Sequence, residues 1–137
     1  MDRRDLQELS RIRLREARVL LNAGLSDGAY YLAGYAVECA LKACIAKGTF
    51  RHEFPDKKKV EASYSHSIRD LVRVAGLDDS WKEQTATDPS FRNNWEIAQS
   101  WSEQGRYRRY PVEEARELLQ AVTDGRHGVI SWIRLHW

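Results

Sequence analysis

The sequence predicts an all-α protein, an antiparallel bundle of four to five helices in one domain spanning residues 1–137. Apolar residues recur at helical spacing in several separate stretches, and residues typical of helix ends bound those stretches. No stretch alternates apolar and polar residues for long enough to favour a sheet. The length of 137 residues is that of a single domain, and an antiparallel bundle is typical of such a set of helices.

The first two predicted helices lie in the N-terminal third of the chain. The first spans residues 5–23, with leucines and an isoleucine on one side, and Gly24 is expected to cap its C-terminus. The second runs from about Gly28 to Lys47, and Ser26 and Asp27 offer oxygens for its N-cap. Many of its residues are Ala or Gly, which lets a neighbouring helix approach closely. We therefore expect this second helix to be central.

A connector and a short helix are predicted next. Residues 49–65 lose the apolar periodicity, and Pro55 followed by the run Lys57–Lys59 indicates a solvated loop with one short helical turn after the proline. The lysines could extend a positive strip, although so short a charge run is usually only a solvated face. A third helix is expected from about His66 to Val74.

Two further helices are predicted in the C-terminal half. Asp88 and Pro89 are typical of an N-cap and a first helical turn, and Gly105 is expected to close the helix that they open. The last helix starts at Pro111 and continues its apolar stripe to Ile133. Two glycines within this last stretch are expected to kink or fray it.

Composition narrows the classes of function. The 22 Lys and Arg against 20 Asp and Glu give a net charge of only +2, so any nucleic-acid binding must come from a local patch. Cys39 and Cys44 lie five positions apart in one predicted helix and point to different sides, so we expect no mutual disulfide and a cytoplasmic location. No segment reaches the ~20 apolar residues that span a bilayer, so no membrane association is expected.

The sequence contains no ligand pattern for a metal or a cofactor. Two cysteines on one helix and scattered histidines do not supply the paired ligands of a tetrahedral zinc site. Neither a phosphate-cradling P-loop nor a nucleophile elbow occurs. We therefore expect no metal, no cofactor and no independent nucleotide hydrolysis.

Three segments carry a resemblance to a known family: YYLAGYAVECALKA, SHSIRDLVRVAGL and WEIAQSWSEQGRYRRY. Together they resemble the HEPN (higher eukaryotes and prokaryotes nucleotide-binding) domain over roughly residues 14–133. The resemblance implies a small helical bundle that forms a homodimer. It also implies a role in bacterial or archaeal defence or toxin–antitoxin systems, where members are commonly partners of small nucleotidyltransferases, or ribonucleases.

Ribonuclease members of this family carry an Arg followed, after four to six residues, by a His. The Arg neutralises the scissile phosphate and the His transfers a proton near neutral pH. Arg92 and Asn93 resemble the opening of this motif, but Ile97, Ala98 and Gln99 stand where the His is required. Nor does an Arg stand at the matching upstream positions of any histidine of the chain, namely His52, His66, His127 and His136. The catalytic motif is therefore incomplete, with Arg92 and Asn93 as its remnant.

A candidate binding patch lies at RYRRY, residues 106–110. Arg106, Arg108 and Arg109, with Arg92, are predicted to bind the phosphates of a nucleotide or RNA. Tyr107 is expected to anchor this corner in the core. The alternative is a capped loop whose arginines are only solvated.

Glu38 and Lys42 stand four residues apart in the predicted central helix. An exposed pair at this spacing stabilises a helix by ~0.3–0.5 kcal/mol. If the helix is buried, Glu38 needs a stronger partner, such as Arg92 or Arg106 from another helix. We expect a structural role for Glu38, either fixing the bundle or organising a cleft for an anionic ligand.

Three classes of function follow. The first is a nucleotide- or RNA-binding module, non-catalytic or weakly catalytic, which acts with a nucleotidyltransferase partner. The second is a metal-independent ribonuclease with a degenerate motif. The third is a protein-interaction scaffold that needs none of the arginines. Homodimerisation is also favoured by the C-terminal stretch VISWIRLHW, whose aromatics are expected to be exposed.

Overall fold

The computed structural model describes residues 1–48 and 56–137, and these residues form helices and no strand. The α-helices are α1 (Arg3–Asn22), α2 (Ser26–Lys47), α3 (Lys57–Ser63), α4 (Ile68–Val74), α5 (Asp78–Thr87), α6 (Pro89–Gln99), α7 (Val112–Thr123) and α8 (Val129–Arg134), with a 3₁₀ helix at Glu103–Tyr107. The all-α prediction is confirmed. The predicted number of four to five helices is too low, because the structure contains more and shorter helices.

Helices α1 and α2 form an antiparallel hairpin. The side chain of Asp2 accepts a hydrogen bond from the Asp5 backbone N–H, and the Asp5 side chain accepts one from the Asp2 N–H, so a capping box starts α1. Gly24 follows α1 with a φ of +79°, a left-handed conformation that favours glycine. The prediction that Gly24 ends the first helix is confirmed.

Helix α2 is the centre of the bundle, as the sequence predicts. Thirteen of its 22 residues are buried, and it packs against α1, α4, α7, α8 and the 3₁₀ helix. Small residues make this packing possible. Gly34 is the clearest case, because a Cβ at this position would overlap the ring of Trp101.

The start of α2 differs from the prediction. The helix begins at Ser26, and neither Ser26 nor Asp27 caps it. The Ser26 hydroxyl instead donates a hydrogen bond to the Tyr110 carbonyl, and the Asp27 carboxylate accepts one from the Tyr110 N–H. These two side chains therefore tie the start of α2 to the segment that precedes α7.

The middle of the chain contains one helix that the sequence analysis missed. The predicted helical turn after the proline is present as α3, although residues 49–55, including Pro55 and His52, lie outside the described residues. Helix α4 starts two residues later than predicted because Ser67 is its N-cap. The Ser67 hydroxyl accepts a hydrogen bond from the Asp70 N–H. Helix α5 was not predicted, because it has no buried residue and hence no apolar stripe.

Both C-terminal helices are shorter than predicted. Asp88 caps α6 by accepting a hydrogen bond from the Phe91 N–H, as expected, but α6 ends at Gln99, where the chain turns to pack Trp101 on α2. The last predicted helix is two helices, α7 and α8. Between them, Asp124 accepts hydrogen bonds from the N–H groups of Arg126 and His127, which stabilises a turn.

Candidate functional site

Glu38 lies in the middle of α2 with only 2% of its surface exposed. Oε1 of Glu38 is 2.9 Å from Nδ1 of His66, and Oε2 is 3.4 Å from Nζ of Lys42. Glu38 is thus buried and has a partner from another segment besides Lys42. The predicted identity of that partner is wrong: it is His66, and not Arg92 or Arg106. His66 is 28 positions away in the sequence, and the packing of the segment before α4 on α2 brings it there.

His66 is held between two carboxylates. Its second ring nitrogen, Nε2, lies 3.2 Å from Oε2 of Glu103 in the 3₁₀ helix. Through its two ring nitrogens, His66 therefore connects α2 to the 3₁₀ helix. The sequence did not predict this role of His66, because no local spacing links it to Glu38.

The charged cluster continues to the predicted binding patch. NH1 of Arg106 lies 3.6 Å from Oε1 of Glu103, and 47% of the Arg106 side chain is exposed. The successive partners are Lys42, Glu38, His66, Glu103 and Arg106, in which basic and acidic groups alternate. We call these five residues the Glu38 network. It holds Arg106 at the surface beside the other arginines of its loop.

Tyr110 anchors this loop, and the prediction that Tyr107 does so is wrong. Tyr110 is 5% exposed, and its ring stacks on that of Tyr30 with centroids 3.7 Å apart. Tyr107 is 74% exposed. The cause is the hydrogen bonding of the Tyr110 backbone to Ser26 and Asp27, which fixes position 110 against α2.

The Tyr30–Tyr110 stack is well sheltered from water. Burial, followed by the neighbouring Tyr110 hydroxyl, raises the pKa of Tyr30 to about 12. Arg108 covers the outer side, with its guanidinium carbon 5.2 Å from the Tyr110 ring centroid. The anchor thus positions Arg108 as well as the backbone of the loop.

The structure brings three of the four predicted binding arginines into one loop. Arg106 lies in the 3₁₀ helix, Arg108 and Arg109 lie between that helix and α7, and all three are exposed. Arg92 is also exposed, but it stands in the first turn of α6, and the loop follows the other end of that helix. The seven residues from Arg92 to the end of α6 correspond to a rise of about 10 Å. Among the described residues, no hydrogen bond, ion pair or ring contact joins Arg92 to the loop.

Asn93 lines a different surface. It borders an open groove of about 760 Å³ between α6 and α7, together with Asn94, Glu117 and Asp124. Two carboxylates in its lining make this groove unfavourable for a phosphate. Asn93, predicted to be part of a ribonuclease motif remnant, therefore borders a polar and acidic groove.

His127 packs at the start of α6. Its Nδ1 lies 2.7 Å from Oδ2 of Asp88, and its carbonyl accepts a hydrogen bond from Asn94. The hydrogen bond with His127, followed by that from the Phe91 N–H, lowers the pKa of Asp88. A histidine is thus present beside the helix that carries Arg92 and Asn93, although 35 positions separate Arg92 from His127 in the sequence.

Comparison with known proteins gives no match. No family model matches the chain, and no curated protein or solved structure matches it either. The resemblance to the HEPN domain therefore stays a prediction. Within residues 1–48 and 56–137, no group of side chains is arranged to hold a metal ion, and no helix is both long and apolar enough to cross a membrane.

Proposed function

We propose that this protein is a HEPN-like nucleotide- or RNA-binding module, non-catalytic or weakly catalytic. The observation that carries the proposal is the loop at residues 106–110, where an exposed tyrosine lies between guanidinium groups. Guanidinium groups bind phosphate oxygens in pairs of hydrogen bonds, and an exposed aromatic ring stacks on a base. The loop therefore offers contacts to both parts of a nucleotide unit, the phosphate and the base.

Tyr107 takes a different role from the one that the sequence suggested. Its ring is exposed, and the guanidinium carbon of Arg106 lies 4.9 Å from the ring centroid. This contact leaves the opposite ring face for a base. Arg106, Arg108 and Arg109 would then contact the phosphates on either side, whereas Arg92 would contribute only to an RNA long enough to reach the start of α6.

Fluorescence anisotropy with a labelled single-stranded RNA tests this proposal. We expect Arg106, Arg108 and Arg109, changed together to Ala, to weaken binding and to reduce the salt slope by about 0.7 per lost phosphate contact. The charge-matched control changes three exposed basic residues in other elements, Lys82, Arg116 and Arg126, to Ala. If the folded loop variant binds as the parent does, the proposed role of the loop fails. If the parent binds no RNA or nucleotide at low salt, the scaffold class replaces this one.

Tyr107→Ala supplies a second arm of the same experiment. Because the side chain is exposed, the variant should fold normally and lose RNA affinity by about 1–3 kcal/mol for one stacked base. Tyr64→Ala is the matched control, since Tyr64 is 73% exposed and lies at the end of α3. Equal affinities of the two variants would argue against stacking on Tyr107.

A degenerate ribonuclease is the second candidate, and the position of His127 supports it. Asp88 orients the His127 ring beside the first turn of α6, which also carries Arg92. A histidine oriented by a carboxylate can transfer protons during phosphodiester cleavage. Cleavage of RNA by the parent that His127→Ala abolishes would favour this candidate over simple binding.

The same proposal includes homodimerisation, a nucleotidyltransferase partner and a cytoplasmic location. The prediction that Trp132 in the C-terminal stretch is exposed for a dimer contact is wrong, because it is only 3% exposed and packs in the core. The exposed apolar residue there is Leu135, at 77%. Sedimentation velocity at micromolar concentration tests the dimer, and a monomer there would contradict it.

A further inference from the structure

A groove beside α1 concentrates positive charge that the sequence analysis did not single out. It has a volume of about 710 Å³ and lies between α1 and the C-terminal helix α8. Five arginines line it: Arg4, Arg11, Arg15, Arg18 and Arg134. Glu8 is the one carboxylate in the lining. The groove therefore carries a large share of positive charge in a chain whose net charge is only +2.

The four arginines of α1 share one face of the helix. They stand seven, four and three positions apart, spacings that return a side chain to the same side of an α-helix. The 14 residues from the first to the last correspond to about 21 Å along the axis. Arg134 faces them from α8. The result is a linear array of guanidinium groups and not a single pocket.

These arginines have no acidic partner among the described residues. Arg13, on another side of α1, pairs with Glu16, whereas none of the five arginines in the groove forms an ion pair there. Burial, followed by the charges of Arg11 and Arg18, lowers the pKa of Arg134. Like charges gathered in this way repel one another, and a bound anion removes that repulsion.

Trp137 joins the two walls of the groove. The guanidinium carbon of Arg11 lies 4.9 Å from its ring centroid, and that of Arg134 lies 5.3 Å from it. Because two guanidinium groups already contact this indole, it offers little free surface for a base. The groove thus offers guanidinium groups for phosphates and little aromatic surface for stacking on bases.

We propose that this groove binds the phosphate backbone of a nucleic-acid strand without regard to base sequence. The length of the array suits a polymer of phosphates better than one nucleotide, and guanidinium groups match phosphate geometry. An acidic peptide would find no apolar anchor beside the charges of this groove, because Leu14, the apolar residue among its described lining, is only 4% exposed. The inference does not depend on the loop at residues 106–110, since different helices form the groove.

The test uses the full chain and labelled single strands, oligo(U), oligo(A) and oligo(dT) of equal length. The variant changes Arg4, Arg15 and Arg18 to Gln, which leaves both contacts to Trp137 in place. We expect the salt slope of binding to fall by about two units, at about 0.7 for each lost contact, with similar losses for all three strands. The control changes Lys82, Arg116 and Arg126 to Gln, and circular dichroism checks that each variant is folded.

The same variant in the background of the alanine-substituted loop separates the two proposals. If the loop variant retains strand binding and the groove substitutions then remove it, the groove is supported while the proposed function of the loop fails. Three results would overturn the groove proposal. They are unchanged binding by the folded groove variant, no binding of any strand by the parent at 50 mM salt, and binding of poly-glutamate as tight as that of a strand of equal charge.

Discussion

Gly34 lies where the central helix meets the ring of Trp101, and a hydrogen atom is the largest side chain that fits there. Trp101 is 3% exposed, so its ring is enclosed and cannot swing into solvent. Because Gly34 has no Cβ, the Trp101 indole packs directly against the α2 backbone, and this sets how closely the segment after α6 approaches α2. It therefore also positions the 3₁₀ helix that follows.

Gly34→Ala should destabilise the protein by about 1–3 kcal/mol, because the added methyl group overpacks a filled core. Urea unfolding followed by tryptophan fluorescence measures this change in the free energy of unfolding. Gly125→Ala is the control, since no atom of the described residues lies within 4 Å of a Cβ there, and it should stay within about 0.5 kcal/mol of the parent. Equal stability of the two variants would show that Trp101 does not pack on Gly34.

At the scale of elements, the Glu38 network joins three separate segments. Glu38 belongs to α2, His66 precedes α4, and Glu103 starts the 3₁₀ helix. The Glu38 side chain is 3% exposed, whereas 48% of the His66 side chain is exposed. Loss of His66 thus leaves a buried carboxylate with Lys42 as its remaining partner, while loss of Glu38 leaves a histidine that water can solvate.

His66→Ala should cost about 1–3 kcal/mol of stability, because a buried acceptor loses its hydrogen bond. The same change in a Glu38→Gln background should cost measurably less, since the amide carries no charge that needs a partner. A double-mutant cycle by urea unfolding gives the coupling between the two side chains. Additive effects would mean that the two residues do not interact.

At the scale of the whole molecule, hydrogen bonds and packing connect the chain end to the middle of the fold. The Trp132 indole N–H donates to the Ser80 hydroxyl, and this hydroxyl lies 3.1 Å from Nε2 of His136. Since the hydroxyl has one hydrogen, it donates to an unprotonated Nε2. Burial, followed by the charge of Lys47, lowers the pKa of His136 from its usual 6.5.

This arrangement predicts the direction of the pH dependence of stability. The unfolded chain binds the His136 proton at a higher pH than the folded chain does, so stability is fully present above about pH 6.5 and declines as the pH falls below it. His136→Gln should flatten this part of the curve, measured as urea midpoints from pH 7.5 to 5. The lowered pKa values of Asp88 and Asp124 cause a separate loss in more acid solution, which the variant should retain. A parent curve that rises as the pH falls from 6.5 would contradict the prediction.

The distribution of charge over the molecule is also a property of the whole fold. A net charge of +2 gives no indication of a basic surface, yet the groove beside α1 gathers five arginines around one glutamate. Four of those arginines stand at helical spacing in the sequence. The position of Arg134 opposite them does not follow from that spacing, because it depends on how α8 packs.

The sequence by itself determined the features that depend on near neighbours in the chain. The cap of α6 at Asp88, the left-handed Gly24 and the small residues of α2 involve positions a few residues apart, where local geometry decides. Helix α5 shows the limit of this reasoning, because a helix with no buried side chain leaves no periodic pattern to detect.

Only the tertiary structure decided which distant side chains meet. Glu38 pairs with His66, 28 positions away, and not with an arginine. Tyr110 is buried, and not Tyr107 as expected, because its backbone bonds to Ser26 and Asp27, more than 80 positions away. Contacts at such separations depend on the directions of whole helices, which hydrophobic spacing does not encode. The sequence therefore predicted the helices and the chemical groups available for binding. The packing of those helices determined which groups form the loop, the Glu38 network and the groove.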